Sequence, residues 1–317
     1  MPAPALSIVV PCFNEAGNLE RLHDEALQAL TELGVDAELV LVDDGSRDAT
    51  RAVALRLSER DPRVRVISFS RNFGKEAAML AGLRAARGEV VALMDADLQH
   101  PPRLLCRMYQ MISTGEADQV VARRTRQHDP WLRRQLSRLY YGCVNSLIEV
   151  ELQDGVGDYR MLSRRAVDAL LQLTEANRFS KGLFAWIGFP VVELQYSGVG
   201  RAVGESSWTL SSLLNYGIDG VVAFNHRPLR LLIYAGLASF GLGLAYLAWL
   251  LVNAMLVGID VPGYITTIAV IVFFGGVQLL SLGIMGEYIG RIYAEVKHRP
   301  HYVVALDSKA GRPAGDG

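Results

Sequence analysis

The chain has 317 residues, enough for one large or two modest domains at roughly 100–200 residues each. Its 32 lysines and arginines nearly cancel 33 acidic residues, which excludes a global field that would draw it to nucleic acid. Half of the residues are hydrophobic and mean hydropathy is +0.20, with most of the apolar excess after Leu229, which excludes a wholly soluble protein.

The N-terminal stretch MPAPALSIVVPCFNE lacks a basic n-region, and its apolar run is too short for a signal peptide, so the N-terminal part is expected in the cytosol. Four β-rich apolar runs follow: Leu6–Val10, Ala37–Val42, Val64–Phe69 and Val90–Met94. Between them Asn18–Leu33, Ala49–Glu59 and Glu76–Ala86 carry apolar residues at helical spacing. Gly34 and Gly88 stand after two of these helices, where a left-handed residue is expected. Strands and helices alternating in this way predict an α/β domain with a mainly parallel sheet covered on both faces. Ligands of such sheets bind beyond the carboxyl ends of the strands, and those ends carry Asn14-Glu15, Asp43-Asp44, Arg71-Asn72 and Asp95-Ala96-Asp97.

Past Gly115 the pattern loosens. Trp131–Glu149 reads as a helix with a basic face, and Asp158–Ser163 and Val191–Val199 read as strands. Ser207–Phe224 has an apolar stripe and few charges, as suits a helix lying at a membrane interface. Leu231–Ile259 and Val261–Gly286 are free of charge and each exceeds the roughly 20 residues that cross a bilayer. Arg227 and Arg230 precede the first run; Arg291, Lys297 and Arg299 follow the second, which predicts a helical hairpin with both ends cytosolic. The expected divisions are 1–205, a cytosolic catalytic domain; 206–228, an amphipathic interfacial segment; 229–286, two transmembrane helices; and 287–317, a cytosolic tail. Glu287 and Arg291, four apart, are expected to pair on a helix surface. Cys12, Cys106 and Cys143 are scattered and suit neither a disulfide framework nor a zinc site.

Asp95-Ala96-Asp97 directly follows a buried strand, so its carboxylates sit at the strand tip, a place suited to a hard divalent ion shared with substrate phosphates. Pro101-Pro102 then start a helix. In VDDGSRDAT, Gly45 permits a tight turn and Asp48 caps the helix that follows. Adjacent Asp43 and Asp44 need donors to offset their repulsion, and a nucleotide base or ribose would supply them. The basic stretch Arg123-Arg124-Thr125-Arg126, with Arg133, Arg134 and Arg138, reads either as a solvated face or as a lipid-phosphate site. His100 and His298 have no metal-ligand partners at fixed spacing.

SIVVPCFNE, VDDGSRDAT, SRNFGKEAAMLAGL and MDADLQHPP, in this order and spacing, resemble the nucleotide-sugar domain of family 2 glycosyltransferases, which have the GT-A fold. VGDYRMLSRRAV, NRFSKGLFAWIGF, RAVGESSWTL and GEYIGRIYAEVKHRPHYVV resemble the polyprenyl-phosphate glycosyltransferases, the bactoprenol glucosyltransferase branch above all, beside the dolichol-phosphate mannose synthases. The likeness runs from about Leu6 to Val304. It implies that Pro11, Glu15 and Asp44 contact the nucleoside and that Lys75 lies near the base or diphosphate. It further implies that Asp95, Ala96 and Asp97 line the donor phosphates, with Asp95, Asp97 and Gln99 on a divalent cation, Mg²⁺ or Mn²⁺. Asp158 takes the position of the catalytic base; otherwise it is a strand-end carboxylate paired with Arg160. Arg124, Arg133 or Arg134, and Ser137 fall where relatives hold the acceptor phosphate. Arg201 matches the arginine of the R-x-x-G-E-S-K pattern, whose lysine is Ser207 here.

What the resemblance implies is an inverting, metal-dependent hexosyltransferase that moves a sugar, glucose foremost, from a UDP-sugar to undecaprenyl phosphate at the cytosolic membrane face. It also implies a role in cell-envelope glycan synthesis, a homo-oligomer (a tetramer in relatives), and no nucleic-acid partner. GDP-mannose, a UDP-N-acetylhexosamine or a UDP-aminoarabinose derivative are alternative donors. From another class, a non-catalytic nucleotide-binding membrane scaffold is an alternative that intact Asp95, Asp97 and Asp158 oppose.

Overall fold

The four apolar runs form strands β1 (Leu6–Cys12), β2 (Ala37–Asp43), β3 (Val64–Phe69) and β4 (Val90–Leu93). The computed structural model describes residues 3–98, 101–124, 156–196 and 263–309, with isolated helical positions between 234 and 256. β1 pairs in parallel with β2 and β4, and β2 with β3. Parallel strands need crossovers, and α1 (Leu19–Leu33), α2 (Thr50–Arg60) and α3 (Lys75–Ala85) supply them. Alternation along the strands sends Ile8, Val10, Leu39 and Leu41 to one core, with α1, α2 and α4 (Leu104–Ser113). Val9, Val40, Val42, Val91 and Leu93 face the opposite core, with α3, α5 (Arg164–Gln172) and α6 (Ser180–Trp186). Two covered faces explain why these strands read as continuous apolar runs.

Gly34 ends α1 in the left-handed region (φ 64°), its N–H bonded to the carbonyls of Leu30 and Thr31. Gly88 does not serve that way: α3 closes on Ala86 in extended backbone. Gly88 is needed for close approach instead, since a Cβ there would lie 2.6 Å from the Ser7 amide nitrogen.

β5 (Gln119–Arg124), β6 (Val156–Ser163), β7 (Val191–Tyr196) and β8 (Val304–Asp307) complete a sheet of order β7-β5-β6-β4-β1-β2-β3-β8. The centre of the sheet is parallel, while β6 runs antiparallel between β4 and β5. β8, expected as part of a tail, instead pairs antiparallel with β3 at the sheet edge. Arg65 and Asp307 meet at 2.6 Å, and Phe69 stacks on Tyr302 with ring centroids 4.8 Å apart, so the C-terminal segment is fastened to the domain.

The segment before β8 leaves the end of α7 (Tyr264–Val296). Glu287 and Arg291 pair on it at 3.0 Å, as expected. Ile271, Phe273, Leu279, Leu280 and Leu282 of this helix are each more than half exposed. Every described position between 234 and 256 is also helical, within the first expected span. Among the residues described with their side chains, no helix is long and apolar enough to cross a membrane, since positions of both expected spans fall outside that set. The expected helix Trp131–Glu149 and the interfacial segment Ser207–Phe224 lie outside the described residues.

Candidate active site

β4 ends at Leu93, and Met94 still donates its N–H to the Val9 carbonyl, so Asp95 is the first residue clear of the sheet. Asp95 and Asp97 are half-buried, with Ala96 buried between them. In the antiparallel β4–β6 pair, Leu93 faces Arg160. Continuing that register by two residues sets Asp95 across from Asp158. Facing carboxylates repel, and the Lys75 ammonium lies between them, 2.6 Å from Asp95 and 2.7 Å from Asp158. Lys75 opens α3, where the helix dipole disfavours a cation, and the two carboxylates offset that cost.

Burial alone would raise the Asp158 carboxyl, but Lys75 foremost, then Lys181 and Arg160, hold it down at about 2. Burial would lower the Lys75 ammonium, yet Asp158 and Asp95 hold it well above the usual lysine range. Both groups are therefore charged at neutral pH. Asp158 is bonded to Lys75, and Arg160, its other expected partner, acts on it in the same direction. Arg160 is 3% exposed and its guanidinium packs 3.5 Å from the centroid of the Phe184 ring.

The tip of β2 is held by the protein itself. Asp43 accepts from the Ser46 N–H (3.0 Å) and the Ser68 hydroxyl (2.6 Å). Asp44 accepts from the N–H groups of Phe73 (2.7 Å) and Gly74 (2.9 Å). These donors offset the repulsion that the sequence alone assigned to a nucleotide. Burial still raises the Asp44 carboxyl, the Phe73 and Gly74 hydrogen bonds working against it and Asp43 adding to it. Gly45 sits at φ 65° with its Cα against the Arg71–Asn72 backbone; a Cβ would fall 2.3 Å from the Arg71 carbonyl carbon, so only glycine fits. Asp48 does not cap α2, whose N-cap is Ala49; it sits one residue earlier and accepts from the Thr50 N–H at 2.9 Å.

At the end of β1, Pro11 is half-buried and the turn after it bonds to the β2 loop. The Asn14 N–H donates to Ser46 Oγ and the Glu15 N–H to Thr50 Oγ1, while Glu15 Oε2 accepts from Asn18 Nδ2 at 2.6 Å. Pro11, Glu15, Asp44, Lys75, Asp95, Ala96, Asp97 and Asp158 thus all belong to one end of the sheet. Gln99, Arg133, Arg134, Ser137 and Arg201 lie outside the described residues, and Arg124 closes β5 with its side chain not described. Arg123, from the same basic stretch, pairs with Glu193 at 2.7 Å.

Among the described residues, no group of three or more His, Cys, Asp or Glu side chains could hold a metal ion. Asp95 and Asp97 offer hard oxygen ligands at the strand tip, which fits a divalent cation whose shell is completed by phosphates and water rather than by a protein cage. Sequence reasoning assigned no part to Glu76, Arg178 and Lys181, although they lie around Lys75 and Asp158. Burial raises the Glu76 carboxyl, and Ser180 binds it through both its N–H (3.1 Å) and its hydroxyl. The signal was present in NRFSKG, which carries both cations at the start of α6.

A parallel-centred sheet with carboxylates gathered beyond its strand ends, two of them tied together by a lysine, defines an α/β domain whose ligand site lies at that end. The chain belongs to glycosyl transferase family 2, whose model matches residues 7–171. Residues 227–292 match a second model, the GtrB C-terminal hairpin. The chain is similar to the protein CsbB of Bacillus subtilis (strain 168), 50% identical over 299 residues, covering 94% of this chain and 91% of that one. It is similar to the bactoprenol glucosyl transferase of Shigella phage SfV, 36% identical over 300 residues, or 94% and 97% of the two chains. The SfII prophage-derived bactoprenol glucosyl transferase of Shigella flexneri is also 36% identical, over 309 residues, 97% of this chain and 99% of its own.

Proposed function

We propose that this chain transfers a glucosyl group from a UDP-sugar to polyprenyl phosphate, undecaprenyl phosphate foremost, with inversion at the sugar C1. The observation that carries the reading is Lys75, which joins the strand-tip carboxylate Asp95 to Asp158 through contacts of 2.6 and 2.7 Å. Relatives named for bactoprenol glucosyl transfer support the choice of acceptor and sugar. In this reading Pro11, Glu15 and Asp44 hold the nucleoside and Lys75 the diphosphate. Asp95, Asp97 and Gln99 hold a divalent cation, which when bound neutralises the charge that grows on the diphosphate leaving group. An oxygen of the acceptor phosphate attacks C1 with its lone pair while the bond from C1 to the diphosphate oxygen breaks, and UDP departs with that electron pair. The acceptor is already an anion, so no strong base is required. A carboxylate held at about 2 suits that demand: Asp158 positions Lys75 and the reacting groups rather than taking up a proton.

The test is incubation of the full-length protein with undecaprenyl phosphate and a panel of labelled UDP- and GDP-sugars. Label is expected in the lipid extract with UDP-glucose. Label from a GDP-sugar alone would move the donor assignment, and free sugar without lipid label would sink the transfer reaction.

The two uncharged runs, the helical positions between 234 and 256, the exposed apolar side chains of α7 and the match to a hairpin family support a membrane anchor spanning 229–286. Residues 1–205 and 287–317 are then cytosolic, and 206–228 lie at the interface. Reporter fusions after Asp307 should read cytosolic and an insertion at Asp260 periplasmic. A periplasmic reading at the C-terminus would overturn the hairpin.

A further inference from the structure

We propose that Tyr302, in the segment between α7 and β8, is a positioning residue for the donor site. It acts through the rings of Phe69 and Phe73 on the loop that carries the hydrogen-bond donors of Asp44 and leads into Lys75. The role rests on the donor reading proposed above and extends it to the C-terminal segment.

The loop comprises residues 70–74, between β3 and α3. It belongs to no helix or strand; Ser70, Arg71 and Asn72 are exposed, and Gly74 sits at φ 97° with open space where a Cβ would be. Such a loop loses conformational entropy when it is ordered, so its contacts must hold it. The site needs it in one place. The N–H groups of Phe73 and Gly74 donate to Asp44 at 2.7 and 2.9 Å, and the next residue is Lys75, which meets Asp95 and Asp158. On the side of the β2 tip the loop is held by Asp44 and by Gly45, whose Cα lies against the Arg71–Asn72 backbone.

The far end of the chain supplies further ties. Phe69 is 2% exposed and ends β3; Tyr302 stacks on its ring at 4.8 Å between centroids, with the planes 11° apart. The Phe73 ring meets the same Phe69 ring edge-on at 5.8 Å and 88°. Both distances lie in the favoured range for aromatic pairs. The Arg71 guanidinium, also in the loop, lies 4.0 Å from the centroid of Phe73. Beside the rings, the Ser70 N–H donates to the Val303 carbonyl at 3.0 Å. Residues 302 and 303 therefore bear on the loop at its first residue and at Phe73, next to the Asp44 hydrogen bonds. The other ties of the segment grip β3 farther back: Arg65 pairs with Asp307, and the Val66 N–H donates to Ser308 Oγ at 2.9 Å. Those contacts fasten β8 to the sheet, whereas Tyr302 and Val303 meet the loop, so holding the strand and positioning the donor site are separable by substitution.

The test uses full-length protein in detergent with Mg²⁺ or Mn²⁺, on Tyr302→Leu, Tyr302→Phe and Asp307→Asn. It reads UDP affinity by calorimetry, KM for UDP-glucose and for undecaprenyl phosphate, and melting temperature. Tyr302→Leu is expected to weaken UDP binding and raise the UDP-glucose KM roughly two- to tenfold, the scale of one aromatic pair, with the undecaprenyl phosphate KM unchanged. Tyr302→Phe keeps the ring and loses only a long contact of the hydroxyl with Arg84 (3.5 Å), so it should restore wild-type values. Asp307→Asn should lower the melting temperature and leave UDP affinity as it is. Unaltered UDP affinity in folded Tyr302→Leu overturns the role. An equal loss in Asp307→Asn also overturns it, by reducing the effect to a general loosening of the strand. If Tyr302→Leu does not fold, Tyr302→Met, which keeps an apolar side chain without the ring, is held to the same outcomes. Absence of UDP binding by the wild-type protein with either ion instead overturns the donor reading on which the role rests.

Discussion

Asp158→Asn should lower turnover by about two orders of magnitude or more while leaving UDP-sugar affinity nearly intact. The substitution keeps the size of the side chain and removes its charge. In the native protein that charge fixes the Lys75 ammonium at 2.7 Å and, through Lys75, the Asp95 carboxylate. Without it, Lys75 swings toward Asp95 alone, and the group that meets the acceptor loses its orientation. Because the Asp158 carboxyl is depressed to about 2 from an unfolded value near about 3.9, its favourable contribution is present above the unfolded value and is lost as pH falls through about 2. The wild-type pH–rate profile should therefore show no acid limb from Asp158 above about pH 4. Stopped-flow turnover set beside calorimetric donor binding separates the outcomes. Near-normal turnover would leave Asp158 as a partner that merely neutralises Lys75.

The strand tips were legible in the sequence for a physical reason. A strand covered on both faces reads as an unbroken apolar run, so the first polar residue after it, Asp95 or Asp43, marks where the sheet ends and a ligand can approach. The neighbours that those tips acquire were not legible. Asp95 and Asp158 meet only because β6 returns antiparallel beside β4, and no local pattern encodes a pairing across more than sixty residues. Asp44 finds its donors in the backbone of Phe73 and Gly74, groups that every residue possesses and that no side-chain pattern announces. β8 is four residues long, too short to show alternation, and its partner β3 lies at the other end of the chain. Arg71, Lys181 and Arg299 belong to three distant segments, Arg71 read as a strand-end residue and Arg299 as a cation beside the second span, and only the fold brings them around one cavity.

Asp97→Ala should reduce transfer by roughly three orders of magnitude or more, several kcal/mol of transition-state stabilisation, with the fold retained. Removing Asp95 would also release Lys75, which it holds at 2.6 Å, so Asp97 is the variant to use. With no third acidic, His or Cys ligand among the described residues, each of the two carboxylates carries a large share of the protein's hold on a divalent cation. The donor's phosphates supply the rest, so metal and donor must bind together. That mutual dependence gives a readout independent of turnover. UDP affinity of the wild-type protein should rise when Mg²⁺ or Mn²⁺ is added, and Asp97→Ala should lose that increase while its circular dichroism stays unchanged. Wild-type protein stripped with EDTA should be inactive and recover on adding either ion. Full activity in EDTA, or a metal-dependent UDP affinity that survives in Asp97→Ala, would remove the cation from Asp97 and leave Lys75 as the charge that meets the diphosphate.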